Sequence, residues 1–217
     1  MTFNRILLLF YFISPFILVA QKPYALNGNR ELFIDNFFID QLSNIELKLH
    51  PPIDEGIVLN FDKPWEGPFC GYVTIIKDND IYRVYYRGSQ GGKDGNNNEV
   101  TCYAESKDGI KWYKPNLGIH TIQGSKKNNV VIANVAPVTH NFSPFLDKNP
   151  KARPDQKYKG LGGVDKIGLL AYVSEDGINW KELQNEAVFK KGVFDSQNVA
   201  FWSESEKCYV CYFRIWS

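Results

Sequence analysis

The sequence predicts an all-β protein, a β-propeller, on three observations. Ser106-Lys-Asp-Gly-Ile-Lys-Trp112 recurs as Ser174-Glu-Asp-Gly-Ile-Asn-Trp180, 68 residues further on. A strand-like run precedes each copy, Val100 to Ala104 in the first case and Gly168 to Val173 in the second. The composition, 44% hydrophobic and 15% aromatic, suits short packed strands joined by polar loops. Asp-Gly between two strands signals a hairpin, because glycine accepts the positive φ of the turn. The tryptophan then opens the returning strand. A repeat of this length made of short strands is the pattern of propeller blades. Two similar hairpins in an ordinary β-sandwich would carry the same motif.

Taken in order, the chain begins with an address. Arg5 is followed by a nearly unbroken apolar run, Ile6 to Val19, and Ala20 precedes the polar Gln21. Residues 1–20 therefore read as a secretory signal peptide, cut after Ala20, which makes the mature protein secreted or periplasmic. The run is short for a membrane span, so no integral membrane domain is expected once it is removed. An uncleaved anchor is the other reading. Residues 21–30 read as linker, and residues 31–217 as a partial propeller domain.

Glu31 to Asp35, Phe37 to Asp40 and Ile45 to Leu49 have the apolar or alternating character of strands, with a turn at Asp35-Asn36. The first full unit covers about residues 60–130. Gly71 to Ile76 is its first strand, Asp78-Asn79-Asp80 turns, and Ile81 to Arg87 returns. Gly88 to Asn98 is a loop long enough for a cleft rim. Val100 to Ala104 and a strand from Trp112 complete four. The second unit, residues 131–190, runs through His140 to Leu146, Lys157 to Gly162, Leu169 to Val173 and a strand from Trp180. The third, 191–217, holds Phe194 to Trp202 and Tyr209 to Arg214. A blade needs about four strands. The sequence is thus expected to hold two and a half to three blades of a longer protein.

With 25 basic and 24 acidic residues, the net charge of +1 gives no electrostatic case for nucleic acid or an anionic membrane. Of the four cysteines, Cys208 and Cys211 have metal-like spacing, but positions three apart on a strand face opposite sides. Free thiols are expected for Cys70, Cys102, Cys208 and Cys211. No phosphate loop, His-Glu-x-x-His helix or Gly-x-Ser-x-Gly elbow occurs, so no metal and no cofactor is expected.

The start of a blade's innermost strand lies near one mouth of the axial channel, so residues there converge from several blades. Here they are Glu66, then His140 with Asn141, then Asp195 with Ser196, Gln197 and Asn198. Glycoside hydrolysis needs two carboxyl groups flanking the scissile bond. Glu66 could be base or nucleophile, and Asp195 acid or stabiliser. His140 could orient a carboxylate, meet a sugar hydroxyl or shuttle a proton. Each also has a structural role open to it, as turn cap or buried hydrogen-bonding group. Arg87 and Arg214 close the second strands of units one and three, where they could pair with central carboxylates.

At Trp65-Glu66-Gly67-Pro68, the two Ser-x-Asp-Gly-Ile-x-Trp copies and Phe194 to Asn198, the chain resembles the five-bladed β-propeller glycoside hydrolases, the group of families 32, 43, 62, 68 and 117. It is most similar to secreted bacterial family-32-like or family-43-like proteins, which begin with a segment such as Leu32-Phe-Ile-Asp35. The resemblance implies a five-bladed propeller, a poly- or oligosaccharide substrate and catalysis by carboxylates at the propeller centre. Glu66 then stands in the first catalytic slot and Asp195 in a third-blade slot. His140 is the further catalytic candidate, with Asn141, Gln197, Asn198 and Arg87 binding sugar. Family 43 usually has Asp where Glu66 stands, and the second slot, His140 to Ser143, holds no carboxylate. A non-catalytic carbohydrate-binding propeller is the alternative.

Overall fold

The computed structural model describes residues 24–28, 30–89 and 95–216. The expected signal peptide, and the middle of the loop from Gly88 to Asn98, lie outside the described residues. The chain divides between Ile53 and Asp54 into two units. Among the described residues no helix is long and apolar enough to cross a membrane.

The described part of the first unit contains no strand, contrary to the sequence expectation for Glu31 to Asp35, Phe37 to Asp40 and Ile45 to Leu49. The turn is there: the Asp35 carboxylate accepts from the Phe37 amide at 2.9 Å, and the Ile39 amide donates to the Asn36 carbonyl at 3.0 Å. The physical reason is that a strand is completed by a neighbour's hydrogen bonds. Alternating Ile45, Leu47 and Leu49 have apolar character but no ladder, and all three are exposed.

Among its described residues the second unit is all-β apart from two short 3-10 turns, Val138–His140 and Pro154–Gln156. Its first sheet has the antiparallel order β1 (Gly71–Asp78), β2 (Ile81–Ser89), β3 (Glu99–Ser106), β4 (Trp112–Tyr113), and β5 (Val130–Ile132) also pairs with β3. The second has β6 (Ser143–Leu146), β7 (Tyr158–Val164), β8 (Gly168–Ser174) and β9 (Lys181–Glu182) in sequence order. β10 (Val199–Ser203) and β11 (Cys208–Tyr212) form a hairpin. The strands β1 to β4 and β6 to β9 therefore run as meanders in sequence order, as the sequence predicted. The strand β5 was not anticipated.

The repeated motif closes the third turn of both larger sheets by the same bonds. Ser106 Oγ and Asp108 Oδ1 accept the amides of Gly109, Ile110 and Lys111 at 2.7–2.9 Å, and Ser174 and Asp176 accept those of Gly177, Ile178 and Asn179 at 2.8–2.9 Å. These are side-chain caps on tight turns. The indole nitrogens of Trp112 and Trp180 then donate to the carbonyls of Gly109 and Gly177 at 2.9 and 3.1 Å. Gly109 and Gly177 take φ values of +78° and +76°, which a side chain would strain.

The sheets pack face to face through alternate residues of their strands. Tyr85, Tyr103, Ile76, Phe142, Tyr158 and Tyr172 form one core with Trp180 against it, while Val84, Tyr86, Cys102 and Ala104 face the opposite way with Trp65 and Trp112. Leu161, Leu169, Ala171 and Phe194 join the second sheet to the third hairpin. The four thiols are free; Cys102 is buried, whereas Cys208 is exposed.

Candidate functional site

Three elements lead into the site. In β1, Gly71 pairs with Arg87 but Thr74 with Tyr85, so β1 carries one extra residue there. Such a bulge bends a strand and re-aims its side chains. Tyr72 sits within it at φ +49°, a left-handed conformation uncommon for a bulky residue. The 3-10 turn before β6 delivers His140 and Asn141. This turn fits closely over β7: a Cβ on Gly162 would stand 2.4 Å from the Val138 carbonyl oxygen. The third element is the loop from Phe194 to Asn198 ahead of β10.

These leading ends are tied together. Gln197 Nε2 donates to Thr74 Oγ1 at 2.8 Å and approaches Ser143 Oγ at 3.4 Å, and those two hydroxyls are 3.5 Å apart. Three sheets thus meet at one amide. The Tyr72 hydroxyl donates to the Asp195 carbonyl at 2.9 Å. Its ring covers the Arg87 guanidinium, 4.7 Å from the centroid, and lies 5.4 Å from the His140 ring.

Behind Tyr72 is a buried ionic group. His140 Nδ1 stands 3.2 and 3.1 Å from the two Glu99 carboxylate oxygens and 3.1 Å from Arg87 Nη1. Arg87 Nη1 is 3.6 Å from Glu99, and its Nε donates to the Phe69 carbonyl at 3.1 Å. Glu99 also accepts from the Gly95 amide at 2.9 Å. Glu99, Arg87 and His140 are 1%, 8% and 7% exposed. The Glu99 and Arg87 charges are retained at this depth because they face each other. The register places them: Ser89 opposes Glu99 across β2 and β3, so the start of β3 lies beside the end of β2 and the start of β1.

The structure sorts the other expected residues. Asp195 is half exposed and forms an ion pair with Arg214, the partner proposed from its strand-end position. Asn141 is fully buried; its amide donates to the Gly163 carbonyl at 2.8 Å, to Ser196 at 3.0 Å and to Phe194, and its oxygen accepts from the Gly163 amide at 2.9 Å. Asn198, also buried, donates to the Phe194 and Ser196 carbonyls at 3.1 and 2.9 Å. Both amides hold the 194–198 loop rather than facing outward.

Glu66 is placed elsewhere, as the anionic half of a buried pair. Its carboxylate is 0% exposed, 2.6 Å from Lys114 Nζ, and accepts from the Tyr86 hydroxyl at 2.6 Å and the Lys63 amide at 2.8 Å. A nucleophile or base has to meet substrate, and this carboxylate is enclosed on every side. Burial first, and the Glu66 charge second, push the Cys70 thiol up to about 12, so it stays protonated at neutral pH. Tyr86 is likewise held as a neutral phenol by burial, the nearby Cys102 and Glu66. Sequence reading missed Glu99 and Tyr72. The signal for Glu99 was available in its position at the start of β3, directly after the asparagine-rich loop.

Among the described residues no cluster of His, Cys, Asp and Glu has the arrangement of a metal site. No family model and no curated protein matches the chain. Solved structures do. One is described as showing that "the GH130 family of mannoside phosphorylases contains glycoside hydrolases that target beta-1,2 mannosidic linkages in Candida mannan". It is 20% identical, with a TM-score of 0.42 over 67% of this chain and 42% of its own. A glycosyl hydrolase from Bacteroides ovatus is 17% identical, with a TM-score of 0.40 over 67% of this chain and 42% of its own. A third, a glycoside hydrolase, is 11% identical, with a TM-score of 0.39 over 63% and 45%. The chain spans less than half the length of these structures.

Proposed function

We propose that the converging ends of β1, β6 and β10 form one side of a carbohydrate site, and that the protein hydrolyses a glycosidic bond in a poly- or oligosaccharide outside the cytoplasm. The observation that carries this reading is the three-sheet junction at Gln197, which gathers Tyr72, His140, Arg87 and Asp195 within one small region. An aromatic ring beside charged hydrogen-bonding groups suits a sugar, which has an apolar face and a rim of hydroxyls. In this reading Asp195 is the acid or the transition-state stabiliser, His140 binds or exchanges protons with hydroxyls, and Arg87 binds them. Asn141 and Asn198 act by fixing the Asp195 loop. Glu66 braces the neighbouring wall.

A second reading, binding without hydrolysis, is favoured by one observation. Of the carboxylates Glu66, Glu99 and Asp195, only Asp195 is open to solvent, whereas hydrolysis takes two. Incubating the full chain with plant and algal oligosaccharides, with binding and released sugar measured separately, decides between them. Turnover that Asp195→Asn lowers on the order of 100-fold with binding kept supports the hydrolase. Binding without turnover supports the second reading, and absence of both removes the carbohydrate proposal.

A further inference from the structure

We infer that Glu99 fixes His140 in the tautomer with its proton on Nδ1, leaving Nε2 as a hydrogen-bond acceptor for a sugar hydroxyl. Glu99 is a positioning residue in this account. It acts through His140, and the inference rests on the reading of His140 as a substrate-facing group.

The argument is one of donors and acceptors. Both Glu99 oxygens lie within 3.2 Å of Nδ1. An ionised carboxylate only accepts, so a bare Nδ1 would set lone pair against lone pair in a site almost closed to water. A proton on Nδ1 turns the same contact into a charge-assisted hydrogen bond. Arg87 also only donates: its Nη1 lies 3.1 Å from Nδ1 and 3.6 Å from Glu99, while its Nε donates to the Phe69 carbonyl. Two carboxylate oxygens beside Nδ1 outweigh that single donor, whose charge stays paired with Glu99. The tautomer is set by the partner of one nitrogen, and the other nitrogen carries the function.

Nε2 lies on the far side of the ring. It has no hydrogen-bond partner among the described residues, although the residue is more than nine-tenths buried. Nε2 is not one of the enclosed atoms that lack a partner, so it is open to a donor from outside the protein. A sugar hydroxyl supplies one. The backbone around it is built to hold this arrangement, with Tyr72 in its left-handed bulge packed 5.4 Å from the imidazole. Unusual backbone of this kind concentrates at binding sites.

The chain contains its own control. His120 Nε2 lies 3.2 Å from the Val131 carbonyl oxygen, which requires the proton on Nε2. The two imidazoles should therefore be opposite tautomers.

The test is a long-range proton–nitrogen correlation spectrum of the full chain, labelled with nitrogen-15, at a pH where the imidazoles are neutral. The three histidines, His50, His120 and His140, are assigned with His120→Gln and His140→Gln. Wild type should show His140 protonated at Nδ1 and His120 at Nε2. Glu99→Gln, whose amide can donate or accept, should let the Nε2-protonated form of His140 appear. His140 protonated at Nε2 in wild type overturns the proposal, and so does an unchanged His140 pattern in folded Glu99→Gln. If that variant does not fold, the wild-type spectrum decides alone. Adding the oligosaccharides should shift the His140 nitrogens, and Glu99→Gln should weaken binding by about tenfold or more. Correct tautomers with no response to any sugar would leave the Glu99 role standing and remove the carbohydrate reading.

Discussion

The Tyr72 hydroxyl donates to the Asp195 carbonyl at 2.9 Å, a bond between positions 123 residues apart that links β1 to the loop ahead of β10. Tyr72→Phe keeps the ring over Arg87 and removes this bond. The expected cost is about 1 kcal/mol of stability, read from the denaturant midpoint. The larger effect should fall on oligosaccharide binding, because the bond locates the backbone of Asp195. A variant with unchanged midpoint and unchanged binding would show that the two loops are held by other means.

Glu66 and Lys114 give a second prediction. Removing the charge in Glu66→Gln leaves the largely buried Lys114 ammonium with only the exposed Asp62 carboxylate at 3.3 Å and the Asn60 carbonyl, and about 3 kcal/mol should be lost. Replacing both, in Glu66→Met with Lys114→Met, should recover much of that loss, since no charge then stays buried. Chemical denaturation of the two variants measures it. If Glu66→Gln kept wild-type stability and lost turnover, the carboxylate would belong to the chemistry after all.

Asp78 gives a pH dependence. Burial alone would raise its carboxyl, but hydrogen bonds from Lys157 and Tyr158, with the charges of Lys157 and Arg83, outweigh burial and hold it below its ordinary value. A group depressed on folding stabilises the fold above its unfolded pKa, and that contribution is lost as pH falls through the folded value. Stability should therefore fall with acid below about pH 4. Asp78→Asn should flatten the profile in that window, as followed by thermal unfolding at a series of pH values. An identical acid limb in the variant would rule out the contribution.

Gly162 is the test of the bed under His140. A methyl group there would stand 2.4 Å from the Val138 carbonyl oxygen, so backbone has to move. Gly162→Ala should cost about 1–3 kcal/mol and shift the His140 side-chain resonances. A neutral substitution would mean that the 3-10 turn is free to adjust.

Much of the second unit was legible because each strand announces itself locally. Gly71 to Ile76 and Ile81 to Arg87 are bounded by a turn, and the Asp-Gly pairs fix the next hairpin. His140, Gln197 and Asp195 all precede the first strands of their units, and the sequence grouped them with Glu66, whose carboxylate the structure instead encloses beside Lys114. What escaped was pairwise. The role of Glu99 depends on the β2–β3 register, and the burial of Glu66 depends on Lys114, 48 residues away. Neither fact is contained in a window of sequence. The first unit shows the reverse error: Ile45 to Leu49 alternates as a strand does, but alternation describes a face and cannot supply a hydrogen-bonding neighbour.

Asp78 and Asp147 each stand four positions beyond a leading hydroxyl residue, Thr74 and Ser143. Each accepts the hydroxyl of a tyrosine from the following sheet, Asp78 from Tyr158 and Asp147 from Tyr209 at 2.8 Å. The joint is polar in the engineer's sense, with plug ahead and socket behind. The middle sheet carries both halves, so tandem copies of it would mate with one another in a single rotational sense. A fan of such sheets could lengthen by duplicating that unit without inventing a new seam.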